Sequence, residues 1–194
     1  MILEKWAPKV IGWVDNPNHE KIHKKLIKES IEISKKIKSG GKNWVSKCYN
    51  TLDTYDISLD EKFKNLNDWI FNQVNEYGNY LNYKNKFKCS SGWISLYKKY
   101  DFQEYHTHNS HAISAVYFLK SNPKKSSKIL FRISNDPVLN EPTPKIYTRD
   151  NSYVANYSPV PGRLLLFKSD LPHCVERSNE KNLRISLAYN FDIV

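Results

Sequence analysis

Leu183-Arg184-Ile185-Ser186-Leu187-Ala188-Tyr189-Asn190-Phe191, close to the end of a 194-residue chain, alternates large apolar residues with small or polar ones. Successive side chains of a β-strand point to opposite faces, so this period-two pattern reads as a strand. Leu183, Ile185, Leu187 and Tyr189 then share one face, and Arg184, Ser186, Ala188 and Asn190 share the other. One face is built for packing and the other for chemistry. Upstream, the same period recurs in Gly92 to Tyr97 and in Phe102 to His108, while Ala112 to Leu119 is a short apolar run bounded by Ser121-Asn122-Pro123. Ile129 to Ile133, a weak segment around Ile146-Tyr147, and Arg163 to Phe167 follow. About eight short strands with few helices among them define a jelly-roll barrel.

Before Cys89 the period is that of a helix. Asn16 can cap a helix with Pro17 at its first position, and Ile22, Leu26, Ile33 and Ile37 recur at helical spacing before Gly40 and Gly41. The spacing predicts a helix over 17–38. Ser58-Leu59-Asp60-Glu61 reads as a capping box opening a second helix, with Phe63, Leu66, Ile70, Val74, Tyr77 and Leu81 as its apolar stripe. The expected organisation is one domain over 1–194, in which 1–88 is a mainly helical support and 89–194 the β-barrel core.

Histidines mark the chemistry. His106 and His108 lie two apart and share a face if their segment is extended, and His173 stands further on with ten residues between it and Arg184. Imidazole is the commonest biological ligand for iron, copper, zinc and nickel, and three such groups leave coordination positions open. Guanidinium binds carboxylate in bidentate fashion, and a hydroxyl two residues on adds a hydrogen bond, so Arg184 and Ser186 suit a dicarboxylate. His111, three residues beyond His108, has the opposite parity and ranks below the other two. His19 and His23 stand at helical i and i+4 positions with no evident third partner, and read as surface residues.

Taken together, these residues resemble the 2-oxoglutarate/Fe(II)-dependent oxygenases, whose usual signature is His-x-Asp/Glu, a distal His and, about ten residues later, Arg-x-Ser. The nearest pattern is that of a subfamily of bacteria and phages, matched here by Trp93, His106, His108, Ser110, Ser114, Tyr117, Pro161, Gly162, Phe167, His173, Arg184, Ser186 and Asn190. Asn109 stands where that pattern has proline, and Ala115 where glycine is common. The resemblance spans roughly residues 90 to 191 and implies a mainly β fold with N-terminal helices, a double-stranded β-helix or cupin-like barrel. It implies Fe(II) on His106, His108 and His173, 2-oxoglutarate on Arg184 and Ser186, and O2 as the oxidant of an unknown primary substrate. Tyr97, Tyr117 and Asn190 are further candidates for holding the cosubstrate, and Trp93 either lines the pocket or fills the core. The chain departs from the wider superfamily at His108, which stands where a carboxylate ligand is usual. A neutral ligand leaves a ferrous centre one charge more positive.

Composition sets the outer limits. With 40% hydrophobic and 13% aromatic residues the chain is globular, and no apolar run approaches the length of a membrane span. Cys48, Cys89 and Cys174 are odd in number and widely spaced, which fits reduced thiols in a cytoplasm, a host's if the chain is viral. Net charge is +10, but lysine dominates, with clusters on the first helix and around Lys120 to Lys128 that read as solvated faces. Two other readings stay open: a cupin-like metal-binding barrel without 2-oxoglutarate chemistry, and a basic nucleic-acid-binding protein. The stretch from Asn135 to Pro144 is long for a plain connection and is a candidate lid. For the primary substrate, a peptide or protein side chain is the first guess and a small metabolite the second.

Overall fold

A computed structural model describes residues 1–2, 8–133 and 143–194. The elements run β1 (Ile11–Asp15), α1 (His19–Lys36), β2 (Tyr49–Asn50), α2 (Lys64–Tyr80), β3 (Phe87–Tyr97), β4 (Gln103–His106), β5 (Ile113–Lys120), β6 (Ile129–Arg132), β7 (Val154–Tyr157), β8 (Arg163–Lys168), β9 (His173–Val175) and β10 (Arg184–Ile193). Two antiparallel sheets result, a six-stranded one in the order β1-β8-β5-β10-β3-β2 and a four-stranded one in the order β4-β9-β6-β7. This is the double-stranded β-helix, mainly β with helices toward the N-terminus.

The alternation in β10 decides which side each layer occupies. Ile185, Leu187, Tyr189 and Phe191 join Ile94, Leu96, Ile113, Ala115, Leu164 and Leu166 in the principal core, where Leu26 and Ile33 of α1 and Leu66, Ile70 and Val74 of α2 pack on them. The helices therefore sit on the greasy face of the large sheet. Phe118, Leu165 and Phe167 have the other parity and form a second core with Ile129 and Phe131 of the small sheet. Arg184, Ser186 and Asn190 point into the space between the sheets together with these residues, and are themselves buried.

Several expectations shift in detail. The 1–88 region is not only helical, because β1 pairs with β8 along Ile11 to Asp15 and β2 pairs with β3, so both enter the large sheet. Helix α1 begins at His19, and the Asn16 carboxamide accepts from the Asn18 backbone N–H in the turn ahead of it instead of capping at Pro17. Before α2 the capping is done by Asp56 and Asp60, whose carboxylates accept from Ser58 N and Lys62 N in two short 3₁₀ turns; Ser58 does not cap. The Ile146-Tyr147 segment is an exposed bend, and the strand there is Val154–Tyr157. Most of the candidate lid, residues 134–142, lies outside the described residues.

Candidate metal and cosubstrate site

His106 ends β4, and His173 begins β9, its antiparallel partner, with the two Cα atoms in register. His108 follows in the loop after β4, tied by its backbone N–H to Ser169 O at 2.8 Å. The three rings converge: centroids lie 4.3 Å apart for His106 and His173, 5.1 Å for His106 and His108, and 5.2 Å for His108 and His173. Each ring can offer one nitrogen so that all three lie within 4.8 Å of one another, a grouping able to hold a metal ion. Phe167 and Phe131 pack on His173, which is 3% exposed, and Trp93 packs on His108.

The outer nitrogens explain why the inner ones are available. Nδ1 of His106 lies 2.8 Å from Glu104 O, and Nδ1 of His173 lies 2.9 Å from Leu171 O; a carbonyl only accepts, so both rings carry their proton on Nδ1. His108 Nδ1 donates to the Asn190 carboxamide oxygen at 2.6 Å, with Ser114 Oγ at 3.1 Å. Ser114 in turn donates to Asn190 Oδ1 at 3.0 Å and lies 2.8 Å from Ser169 Oγ. All three Nε2 atoms are left unprotonated and free to ligate. Burial lowers the pKa of all three, His108 to about 4, with the mutual repulsion of the rings adding to the effect at His108 and His173.

Those depressions fix a pH dependence. Below pH 6.5 the unfolded chain takes up protons that the folded rings refuse, so these groups contribute stability above that pH and lose it as pH falls toward about 4. Chelator-treated protein should melt at progressively lower temperature across this window. Changing all three histidines to glutamine should flatten that slope, and an unchanged slope would place its origin elsewhere.

Arg184, 1% exposed, lies in register with Tyr97 of β3. Its guanidinium is set 4.7 Å from the Tyr97 ring centroid and 5.4 Å from that of Phe118, and Nη1 donates to Ser127 Oγ at 3.2 Å. Nε, Nη2 and the neighbouring Ser186 Oγ are buried without a partner among the described residues. Burial pulls the Arg184 pKa down from its usual value, and the group remains a cation. A buried cation with two unpartnered guanidinium nitrogens and an adjacent unpartnered hydroxyl is a donor set that fits a carboxylate.

Of the other expected residues, Tyr97 sits inside the barrel against Arg184, and Trp93 lines the same side against His108. Tyr117 does not reach this space. Its parity on β5 turns it to the helical layer, where its hydroxyl lies 2.8 Å from His19 Nδ1. Asn190 faces the site through His108, as its orienting partner. His111 stays outside the triad, with Nδ1 2.8 Å from Asp192 Oδ1. His19, expected on the surface, is buried, and stacks on His23 with Glu20 beside them in a second three-member group. Glu104, Ser127 and Ser169 gave no signal in the sequence, because what matters is a backbone carbonyl, one serine hydroxyl among many, and a loop register.

Asn190→Ala removes the acceptor that fixes the His108 tautomer, and the loss of such outer partners typically costs 10–100-fold in metal affinity. Competition against a chromophoric chelator should show a loss of about that size, with the apo protein still folded.

The fold is of the double-stranded β-helix class, and it holds three convergent imidazoles able to bind a metal ion. A family model described as "Putative 2OG-Fe(II) oxygenase" matches residues 91–190, 100 of the 194. The chain belongs to this family, and it is a 2-oxoglutarate- and Fe(II)-dependent oxygenase with those two cofactors. Among solved structures it is similar to a Pseudomonas putida prolyl-4-hydroxylase, at TM-score 0.62 and 16% identity over 95% of this chain and 92% of that one. It is similar also to the viral collagen prolyl hydroxylase of Paramecium bursaria Chlorella virus-1 in its 2-oxoglutarate complex, at TM-score 0.61 and 12% identity over 94% and 96% of the chains. A third likeness is to HygX of Streptomyces hygroscopicus with nickel and 2-oxoglutarate bound, at TM-score 0.66 and 13% identity over 95% and 83%. At these identities the likeness is one of fold. A comparison with curated proteins found no match. No helix among the described residues is long and apolar enough to cross a membrane.

Proposed function

We propose that His106, His108 and His173 hold the iron of this oxygenase, that Arg184 and Ser186 hold the distal carboxylate of 2-oxoglutarate, and that the substrate oxidised is a side chain of a peptide or protein. The observation that carries the reading is the pairing of three free imidazole nitrogens with a buried cation two of whose nitrogens, Nε and Nη2, have no partner among the described residues. With both cofactors bound, oxidative decarboxylation of 2-oxoglutarate to succinate and carbon dioxide drives insertion of the other oxygen atom of O2 into a substrate C–H bond.

The residues bind and orient. Three neutral imidazoles leave the full charge of Fe(II) in place, and Arg184 adds another positive charge, against the two negative charges of 2-oxoglutarate; the site is thus complementary to a dianion without a ligating carboxylate. The rings of Tyr97 and Phe118 pack beside the guanidinium, which is almost wholly buried. Glu104 O, Leu171 O and Asn190 hold the three rings against rotation. The peptide reading is supported by the fold shared with two prolyl hydroxylases. In air, Fe(II) and 2-oxoglutarate should yield slow formation of succinate even without a primary substrate. Iron-dependent O2 consumption without succinate would refute this assignment.

A further inference from the structure

The segment Gly41 to Lys47 lies between α1 and β2 and packs against the metal face. Gly41, at φ 63°, turns it, with Trp44 N donating to Gly41 O at 3.0 Å. The indole of Trp44 then lies 5.3 Å from the His106 ring, and neither residue is fully buried. Two consecutive backbone N–H groups, of Val45 and Ser46, donate to the Glu104 carboxylate at 2.7 and 3.2 Å, and Gln103 Nε2 adds a third bond at 2.9 Å. Ser46 Oγ also donates to Phe102 O. Glu104 orients His106 through its carbonyl and, through its carboxylate, holds the two residues that follow Trp44.

What the segment presents outward has a definite chemistry. Lys42 and Lys47, which flank Trp44 in the sequence, are exposed, Val45 is 72% exposed, and the stretch contains no acidic residue. An indole face takes apolar C–H surface, and two flanking cations on a chain of net charge +10 favour an anionic partner in approach and register.

Building on the reading of the triad as the iron site and of a peptide as substrate, we propose that Trp44 is a specificity-determining residue of the substrate mouth. Glu104 is the positioning residue that holds it there, and the mouth takes an acidic peptide segment whose reacting side chain lays its apolar face on the indole.

The test uses the full chain with Fe(II) and 2-oxoglutarate, in air, with a chymotryptic digest of a bacterial proteome as probe; mass spectrometry finds peptides that gain one oxygen atom. Wild type should oxidise a subset enriched in Asp and Glu near the modified residue. Trp44→Ala should cut that oxidation at least tenfold while the anaerobic affinity for 2-oxoglutarate changes less than about threefold, and Trp44→Phe should restore most of it. The double change Lys42→Glu, Lys47→Glu should raise KM for the acidic peptides about tenfold with kcat little altered. Glu104→Gln should raise KM likewise and speed tryptic cleavage after Lys42 and Lys47 about tenfold. Succinate formation with peptide oxidation unchanged in Trp44→Ala, or with no acidic preference, would overturn this proposal alone. Succinate formation with no oxidised peptide, or stimulated only by a single-stranded oligonucleotide, would overturn the peptide reading with it and leave the iron site standing. Absence of both succinate and oxidised peptides in wild type would overturn the iron-site reading with it.

Discussion

Replacing His173 by alanine is expected to abolish succinate formation and to leave the desalted protein without iron. This ring is the most deeply buried of the three, begins β9 in register with His106, and is packed by Phe131 and Phe167. Its Nε2 makes no hydrogen bond among the described residues while Nδ1 donates to Leu171 O, so the substitution removes the proposed ligand and little else that is polar. Loss of an outer partner alone costs 10–100-fold in metal affinity, and loss of a direct ligand should exceed about a hundredfold. Iron content by a colorimetric chelator and succinate by chromatography give the answer together. Iron retained at wild-type stoichiometry would mean that the ring is a core residue beside the site.

Arg184→Met should separate cosubstrate from metal. The variant is expected to bind iron nearly as the wild type does and to lose at least about a hundredfold in affinity for 2-oxoglutarate, in line with the 2–5 kcal/mol or more that follows truncation of a buried charge pair. It carries a second, less intuitive consequence for stability. Without cosubstrate the guanidinium has two buried nitrogens that find no partner among the described residues, a cost that a methionine of similar length does not bear. Apo Arg184→Met should therefore be as stable as apo wild type, or more so by about 1–4 kcal/mol. Saturating 2-oxoglutarate should raise the wild-type stability by about 2.7 kcal/mol at a hundredfold excess over Kd and leave the variant unmoved. A variant that loses iron, or that melts lower than wild type without cosubstrate, would assign Arg184 to structure.

The sequence was most readable where two periodicities coincided with burial. The alternation of β10 identified the strand, its two faces and the placement of Arg184 and Ser186, because the helical layer and the small sheet make different chemical demands on those faces. The α2 stripe was legible for the same reason, with Phe63, Leu66, Ile70 and Val74 almost completely buried. Short strands escaped notice: β2 has two residues and β9 three, too few to show a period, and β1 is an edge strand whose Trp13 is 55% exposed beneath the Arg163 guanidinium. Tyr117 was assigned to the cosubstrate by analogy with related barrels, although its odd parity with Ala115 and Leu119 placed it on the helical side. The work of Asn190 depends on a contact between residues 82 positions apart, which no local pattern encodes.

On the proposed reading His108 ligates where the resemblance leads one to expect a carboxylate, and the Asn190, Ser114 and Ser169 cluster suits an imidazole at that position. A carboxylate at that position would place negative charge beside the carboxamide oxygen that now accepts from His108 Nδ1. The three polar groups suit a neutral N–H donor, with Asn190 Nδ2 anchored toward Ser91 Oγ at 3.4 Å. The surroundings of His108 thus match the proposed imidazole ligand.

The most direct measurement is an anaerobic titration of the apo protein with Fe(II) and then with 2-oxoglutarate, followed in the visible. One iron per chain should bind first, and the cosubstrate should then raise a weak metal-to-ligand charge-transfer band that saturates at one equivalent. Iron uptake with no band at any concentration of 2-oxoglutarate would contradict a site in which three imidazoles and Arg184 serve one keto acid.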